Sequence, residues 1–185
     1  SGPGGIVEMQ PLPPLEPEDA VELFLKRAAS ARGGFQPALQ DQPVIQQLAR
    51  LLDGLPLAIE LAAARVRVLS PAALLSRMDQ RFRLLAATGG QQDRQATLRA
   101  TFDWSWELLG DAEKSALAQL SVFEGGFKLQ AAEAVLNLAA CDQVPWVVDV
   151  IQSLVDKSFV RAVAQDRFDL LSSVQAYAME HLAIE

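Results

Sequence analysis

The chain has 185 residues, half of them hydrophobic and 6% aromatic. It can bury a core and is too apolar to be disordered. One cysteine, Cys141, and one histidine, His181, exclude an internal disulfide and a typical zinc site, and a net charge of −7 argues against phosphate-driven nucleic-acid binding.

Residues 1–16 read as an extended lead-in. SGPGG has the composition of a flexible end or a cloning remnant, and Pro11, Pro13 and Pro14 forbid a regular helix. A four-helix domain is predicted over 17–86. Pro17 opens its first helix, with Glu18 and Asp19 in the first turn and Val21, Phe24, Leu25 and Ala28 on one face. Gly33-Gly34 stops it. A second helix starts at Asp41–Pro43, turns Val44, Ile45, Leu48, Leu51 and Leu52 inward, and ends at Gly54. The third, from Pro56 to Leu69, is apolar nearly all round as far as Ala64 and is expected at the centre. Ser70-Pro71 starts a fourth, with Leu74, Leu75 and Met78 inward.

Residues 87–95, ATGGQQDRQ, are the predicted linker. Beyond it, 96–185 are expected to form a winged-helix domain. Helices are predicted over Thr97–Leu109, Asp111–Phe123, 128–139 and 145–157. Two short strands come next, 158–164 and 167–171, turning at Gln165-Asp166, and then a last helix over 173–183. The fold class is therefore mostly α: a small helical bundle followed by a winged helix with a short β-hairpin.

No apolar run reaches the roughly 18 residues of a membrane span, and no secretory signal is visible. The lone thiol suits a reducing compartment, so the expected location is cytoplasmic. GxxxxGK[ST], GxGxxG and HExxH are absent. His181, near a helix C-terminus, reads as a dipole partner rather than a catalyst. Asp103 and Glu107, one helical turn apart, read as solvent-facing. No catalytic residue and no metal ligand set is expected. Phe102, Trp104 and Trp106 read as packing between helices or at the domain junction, Phe123 and Phe127 as anchors of the Gly125-Gly126 turn, and Arg65 and Arg67 as solvated or as bridges to a domain outside this sequence.

Charge separates a winged helix that packs from one that reads DNA. Residues 1–92 carry nine Lys/Arg and nine Asp/Glu; residues 93–185 carry seven and fourteen. The candidate recognition helix, 145-PWVVDVIQSLVDKS-158, offers Asp149 and Asp156 against Lys157. Its Trp146, Val150, Ile151, Leu154 and Val155 suit a packing face. Direct DNA binding by this domain is not expected.

Three blocks carry a family resemblance. 54-GLPLAIELAAAR-65 resembles the GLPLA motif of STAND-class signal-transduction NTPases, which include the NB-ARC proteins of plant immunity and animal cell death and many large bacterial regulators. 98-LRATFDWSWELLGDAEKSALAQLSVFEGGF-127 and 168-FDLLSSVQAYAMEHL-182 resemble, in order and spacing, the segments that come next in bacterial members. The resemblance covers about residues 6–185. It implies the helical and winged-helix pieces of a larger ATPase whose P-loop domain is not in this sequence, and 6-IVEMQPLPPLEPEDAVELF-24 is similar to the segment just after the last strand of that domain.

Backbone geometry alone accounts for Gly54 as a helix stop and Pro56 as a helix start. The resemblance adds a second role: the GLPL proline of the family packs against the adenosine, which implies that Pro56, with Leu57 beside it, contacts ADP or ATP in the intact protein. Effector or sensor domains are further implied partners; no membrane partner is. The family's MHD motif, whose His reaches the ADP β-phosphate, aligns with Leu170, Leu171 and Ser172. Leu171 cannot bond a phosphate, a departure from the pattern. Lys128 stands where relatives often carry a capping Thr. The implied function is a regulatory lid and switch arm with no enzymatic activity of its own. The alternatives are a DNA-binding transcription regulator or an interaction scaffold.

Overall fold

The computed structural model describes residues 13–87 and 93–182, the side chains of 85–87 excepted. Residues 1–12 of the lead-in and 88–92 of the linker lie outside the described residues. The first unit holds α1 (Pro17–Ala31), α2 (Asp41–Leu51), α3 (Pro56–Ala63) and α4 (Pro71–Ala87). Pro17 and Pro56 occupy first-turn positions, where a missing N–H costs nothing. α1 buries Ala20, Phe24 and Ala28, with Val21 and Leu25 packed on the flanks. α3 buries Ala58, Ile59, Leu61, Ala62 and Ala63, as its all-round apolarity predicts.

Where the third helix was expected to run to Leu69, the chain tightens into a 3₁₀ turn over Ala64–Arg67. The amides of Val68 and Leu69 both close onto Arg65 O, and the proline at 71 disfavours helical backbone just before it.

The second unit begins with α5 (Arg94–Glu107), three residues earlier than the predicted Thr97, because Asp93 Oδ1 accepts from Ala96 N at 2.7 Å and caps the helix. Then come α6 (Asp111–Leu120), β1 (Phe127–Lys128), α7 (Leu129–Val135), α8 (Val147–Asp156), β2 (Arg161–Ala164), β3 (Arg167–Asp169) and α9 (Ser172–Leu182). The strands form an antiparallel sheet of order β1-β3-β2, with Phe127 and Ala162 both opposite Phe168. This is a winged helix with a third strand beyond the expected hairpin. Two residues are too short to show alternation, so β1 gives no sequence signal. The expected helix 128–139 shortens to seven residues. The first strand of the hairpin starts at Arg161 rather than 158 because 158–160 close α8: Ser158 has φ 66°, and the amides of Phe159 and Val160 both reach Leu154 O.

Two hydrophobic cores match this order, and α5 enters both. Its Trp104 belongs to the core of α1–α4, while its Phe102 belongs to the winged-helix core, which also takes Leu61 from α3. Four arginines of the first unit grip the second. Arg27 donates to Ser158 Oγ at 2.7 Å and Asp156 O at 2.9 Å. Arg65 donates to Ser105 O at 3.0 Å, Arg67 pairs with Asp156 at 3.0 Å, and Arg81 makes a bidentate pair with Glu107. All of these acceptors lie in the last turn of α5 or α8 or just beyond it, where carbonyls lack helical partners and the dipole favours cations.

Candidate functional site

The GLPL corner is built by two consecutive left-handed residues, Asp53 (φ 54°) and Gly54 (φ 63°), that end α2. Gly54 N bonds Ala49 O at 3.1 Å, and Leu55 N bonds Leu52 O at 3.0 Å. The lead-in is pinned here, since Leu15 N donates to Gly54 O at 2.8 Å. A Cβ on Gly54 would lie 2.6 Å from Leu15 O. Asp53 Oδ2 accepts from Thr97 Oγ1 at 2.7 Å, which ties the corner to α5. The result is an open cleft of about 650 Å³ lined by Pro14, Asp53, Asp93, Arg94 and Gln95.

Pro56 and Leu57 are half-buried at the start of α3, and Leu57 packs against the winged-helix core. Leu170 is buried, Leu171 is half-buried against that same core, and Ser172 is exposed as the first residue of α9. Leu57 and Leu171 thus lean on one core from two elements.

Several side chains sit differently from their sequence reading. Arg65 is not solvated: it is 5% exposed, with its guanidinium 6.0 Å from the Trp104 ring centroid. Burial holds its pKa below the usual arginine value, opposed by Glu113. Its Nε and the buried Ser105 Oγ have no hydrogen-bond partner among the described residues. Asp103 and Glu107 do not simply face water. Tyr177 Oη donates to Asp103 at 2.6 Å, and Glu107 is held by Arg81. Burial, and next the bond to Asp103, raises the Tyr177 pKa above the ordinary tyrosine value.

His181 stacks on Trp106 with ring centroids 3.9 Å apart, and its Nε2 is buried without a partner among the described residues. Burial first, then Arg99, lowers its pKa, so it sits as a neutral ring and not as a charged dipole partner. A depressed pKa means that the unfolded chain binds the proton first. Stability is therefore full above the unfolded value near 6.5 and falls as pH drops through and below it. His181→Phe is expected to flatten that acid limb in urea titrations at matched pH.

Trp146 is the largest departure. Expected on the packing face of α8, it is 70% exposed, while Val150, Ile151 and Leu154 are buried and Val155 packs against the same core as expected. Asp149, Gln152 and Asp156 share the opposite face, one helical turn apart. Gln152 bonds Asp156, Arg67 holds Asp156, and Lys157 is locked onto Glu113 at 2.7 Å. The surface a recognition helix would offer to DNA is thus acidic, and its C-terminal end is covered by the first unit.

The geometry defines a helical unit joined through a shared helix to a winged helix. No family profile matches the chain. It is 45% identical over 172 residues to a Mycobacterium tuberculosis protein provisionally named an HTH-type transcriptional regulator, covering 89% of this chain and 19% of that protein. An uncharacterized M. tuberculosis protein is 41% identical over 178 residues, 93% of this chain and 45% of that one. The regulatory protein AfsR of Streptomyces coelicolor is 30% identical over 169 residues, 89% of this chain and 16% of AfsR. The chain thus resembles a segment of bacterial proteins, two of them named as regulators and one of those as an HTH-type transcriptional regulator, and spans less than half the length of these relatives. No described helix is long and apolar enough to cross a membrane.

Proposed function

We propose that this chain is the control segment of a bacterial transcriptional regulator, built as the helical lid and winged-helix switch arm of a STAND-type ATPase. One observation carries the reading: the first unit holds the C-terminal end of the would-be recognition helix. Arg27 caps the C-terminus of α8 from a helix about 130 residues away, and Arg67 takes its last carboxylate. A winged helix held this way suits communication within the protein better than direct DNA readout. Similarity to regulators of much greater length supports a segment that works with other domains. Those domains would supply the P-loop, the sensor and the effector.

In this reading Pro56 presents a rigid apolar ring to adenine nucleotide when a P-loop domain is present. Leu57 and Leu171 fix the distance between that ring and the winged-helix core. Calorimetry with ADP on a polypeptide extended to include the preceding domain tests it. Pro56→Ala is expected to weaken ADP about tenfold, roughly 1.4 kcal/mol, and the 185-residue chain alone to bind poorly. Equal affinity of Pro56→Ala and the parent would leave Pro56 as a helix start only.

A second reading, DNA recognition through α8, is favoured by the HTH-type name of the mycobacterial relative. A low-salt mobility shift separates the two. A sequence-dependent shift abolished by Gln152→Ala would establish the second, because Gln152 is the one residue on that face with an adenine-reading side chain.

A further inference from the structure

The loop before α8 exposes more apolar surface than the fold requires. Trp146 is 70% exposed and Val144 66%, two residues apart. Neither is needed by the core, which α8 serves with Val150, Ile151 and Leu154. The Trp146 backbone is nevertheless held. It is the N-cap residue of α8, its carbonyl accepts from Asp149 N at 3.0 Å and Val150 N at 3.2 Å, and Pro145 precedes it. Scattered exposed aliphatics are ordinary. An exposed tryptophan on a held backbone, beside a valine, is the kind of anchor that interfaces use.

The chain segment that carries it has charge of one sign. From Leu129 to Asp156 there is no Lys, Arg or His, while Glu133, Asp142, Asp149 and Asp156 are all present. Asp156 is engaged by Arg67. Asp142 and Asp149, which flank Val144 and Trp146 in the chain, are exposed and form no ion pair among the described residues. A carboxylate at the helix start stabilises α8 by itself. That accounts for Asp149 but not for Val144 and Trp146 outside the core.

We propose that this face, the loop around Val144 and Trp146 with Asp142 and Asp149, is a docking surface for a basic amphipathic helix of a protein partner. Its apolar residues would cover Trp146 and Val144. Its Lys or Arg side chains would meet the two carboxylates and the face of the indole. Nucleic acid is the wrong occupant, because its phosphates would meet the same carboxylates.

The test is fluorescence anisotropy with three labelled probes: an amphipathic Leu/Lys helical peptide, the same pattern with Glu for Lys, and a DNA duplex. The Lys peptide is expected to bind saturably and the other two not. Trp146→Ala leaves the net charge unchanged, so it separates docking from general attraction to an acidic protein. It is expected to weaken the Lys peptide about tenfold or more while leaving circular dichroism and thermal stability unchanged, as befits an exposed side chain. Asp142→Lys with Asp149→Lys is expected to transfer the preference to the Glu peptide. Equal binding of both peptides, full affinity in Trp146→Ala, or saturable binding of the duplex in place of the Lys peptide would overturn the proposal.

Discussion

Replacing Gly54 with alanine is expected to destabilise the protein by roughly 2–4 kcal/mol, lowering the melting temperature by about 5–15 °C for a chain of this size. Two costs combine. The φ of 63° strains any residue with a Cβ, by about 1 kcal/mol. The new Cβ would also stand 2.6 Å from Leu15 O and 3.3 Å from Leu15 N, which are backbone atoms that cannot rotate away. Relief requires the lead-in to move, and that breaks the Leu15 N–Gly54 O bond. Gly125 isolates the first cost. Its φ is 73°, but a Cβ there would meet nothing within 4 Å, so Gly125→Ala is expected to cost only about 1 kcal/mol. Thermal unfolding of the two variants side by side checks this. Equal losses would mean that the lead-in does not rest on Gly54.

This glycine shows how far sequence reaches. Gly54 is legible as a helix stop because α2 ends in an apolar period followed by a glycine and a proline. That its missing Cβ makes room for the backbone of the distant lead-in is invisible, since no local pattern records a neighbour. The same holds across the fold. The helices announced themselves by period, proline and capping residues, and the two longer strands by the change of period at 158. β1 did not, because two residues borrow their strand character from β3.

At the seam the failures have one cause. Arg65 and Arg67 are near neighbours in one segment, yet one is buried over Trp104 and the other lies in solvent with Asp156. Arg27 is one of two adjacent basic residues on α1, and nothing in the sequence marks it as the cap of α8. Long polar side chains are placed by tertiary partners, not by local pattern. Trp146 failed for the opposite reason. Its helical spacing from Val150 suggested a common face, but it lies before the first turn, where that spacing no longer fixes direction.

Trp104→Ala is expected to cost about 3–5 kcal/mol, as large buried truncations do, and to loosen the unit to which its helix was not assigned. By sequence α5 opens the winged-helix half. By packing, Trp104 is 7% exposed within the core of α1–α4, while Phe102, two residues earlier, is 3% exposed in the other core. A helix that presents opposite faces to two cores couples them, and Leu61, reaching from α3 into the winged-helix core, does the same in return. The loss should therefore appear as reduced hydrogen-exchange protection in α1, α3 and α4 as well as α5, with unfolding still a single transition. It should also uncover one face of the Arg65 guanidinium, which has no carboxylate in contact among the described residues to replace the ring. Loss of protection confined to residues beyond 94 would mean that α5 belongs to the winged helix alone. Then the four arginines, and not a shared core, would hold the halves together, and a switch between them would need to break only polar contacts.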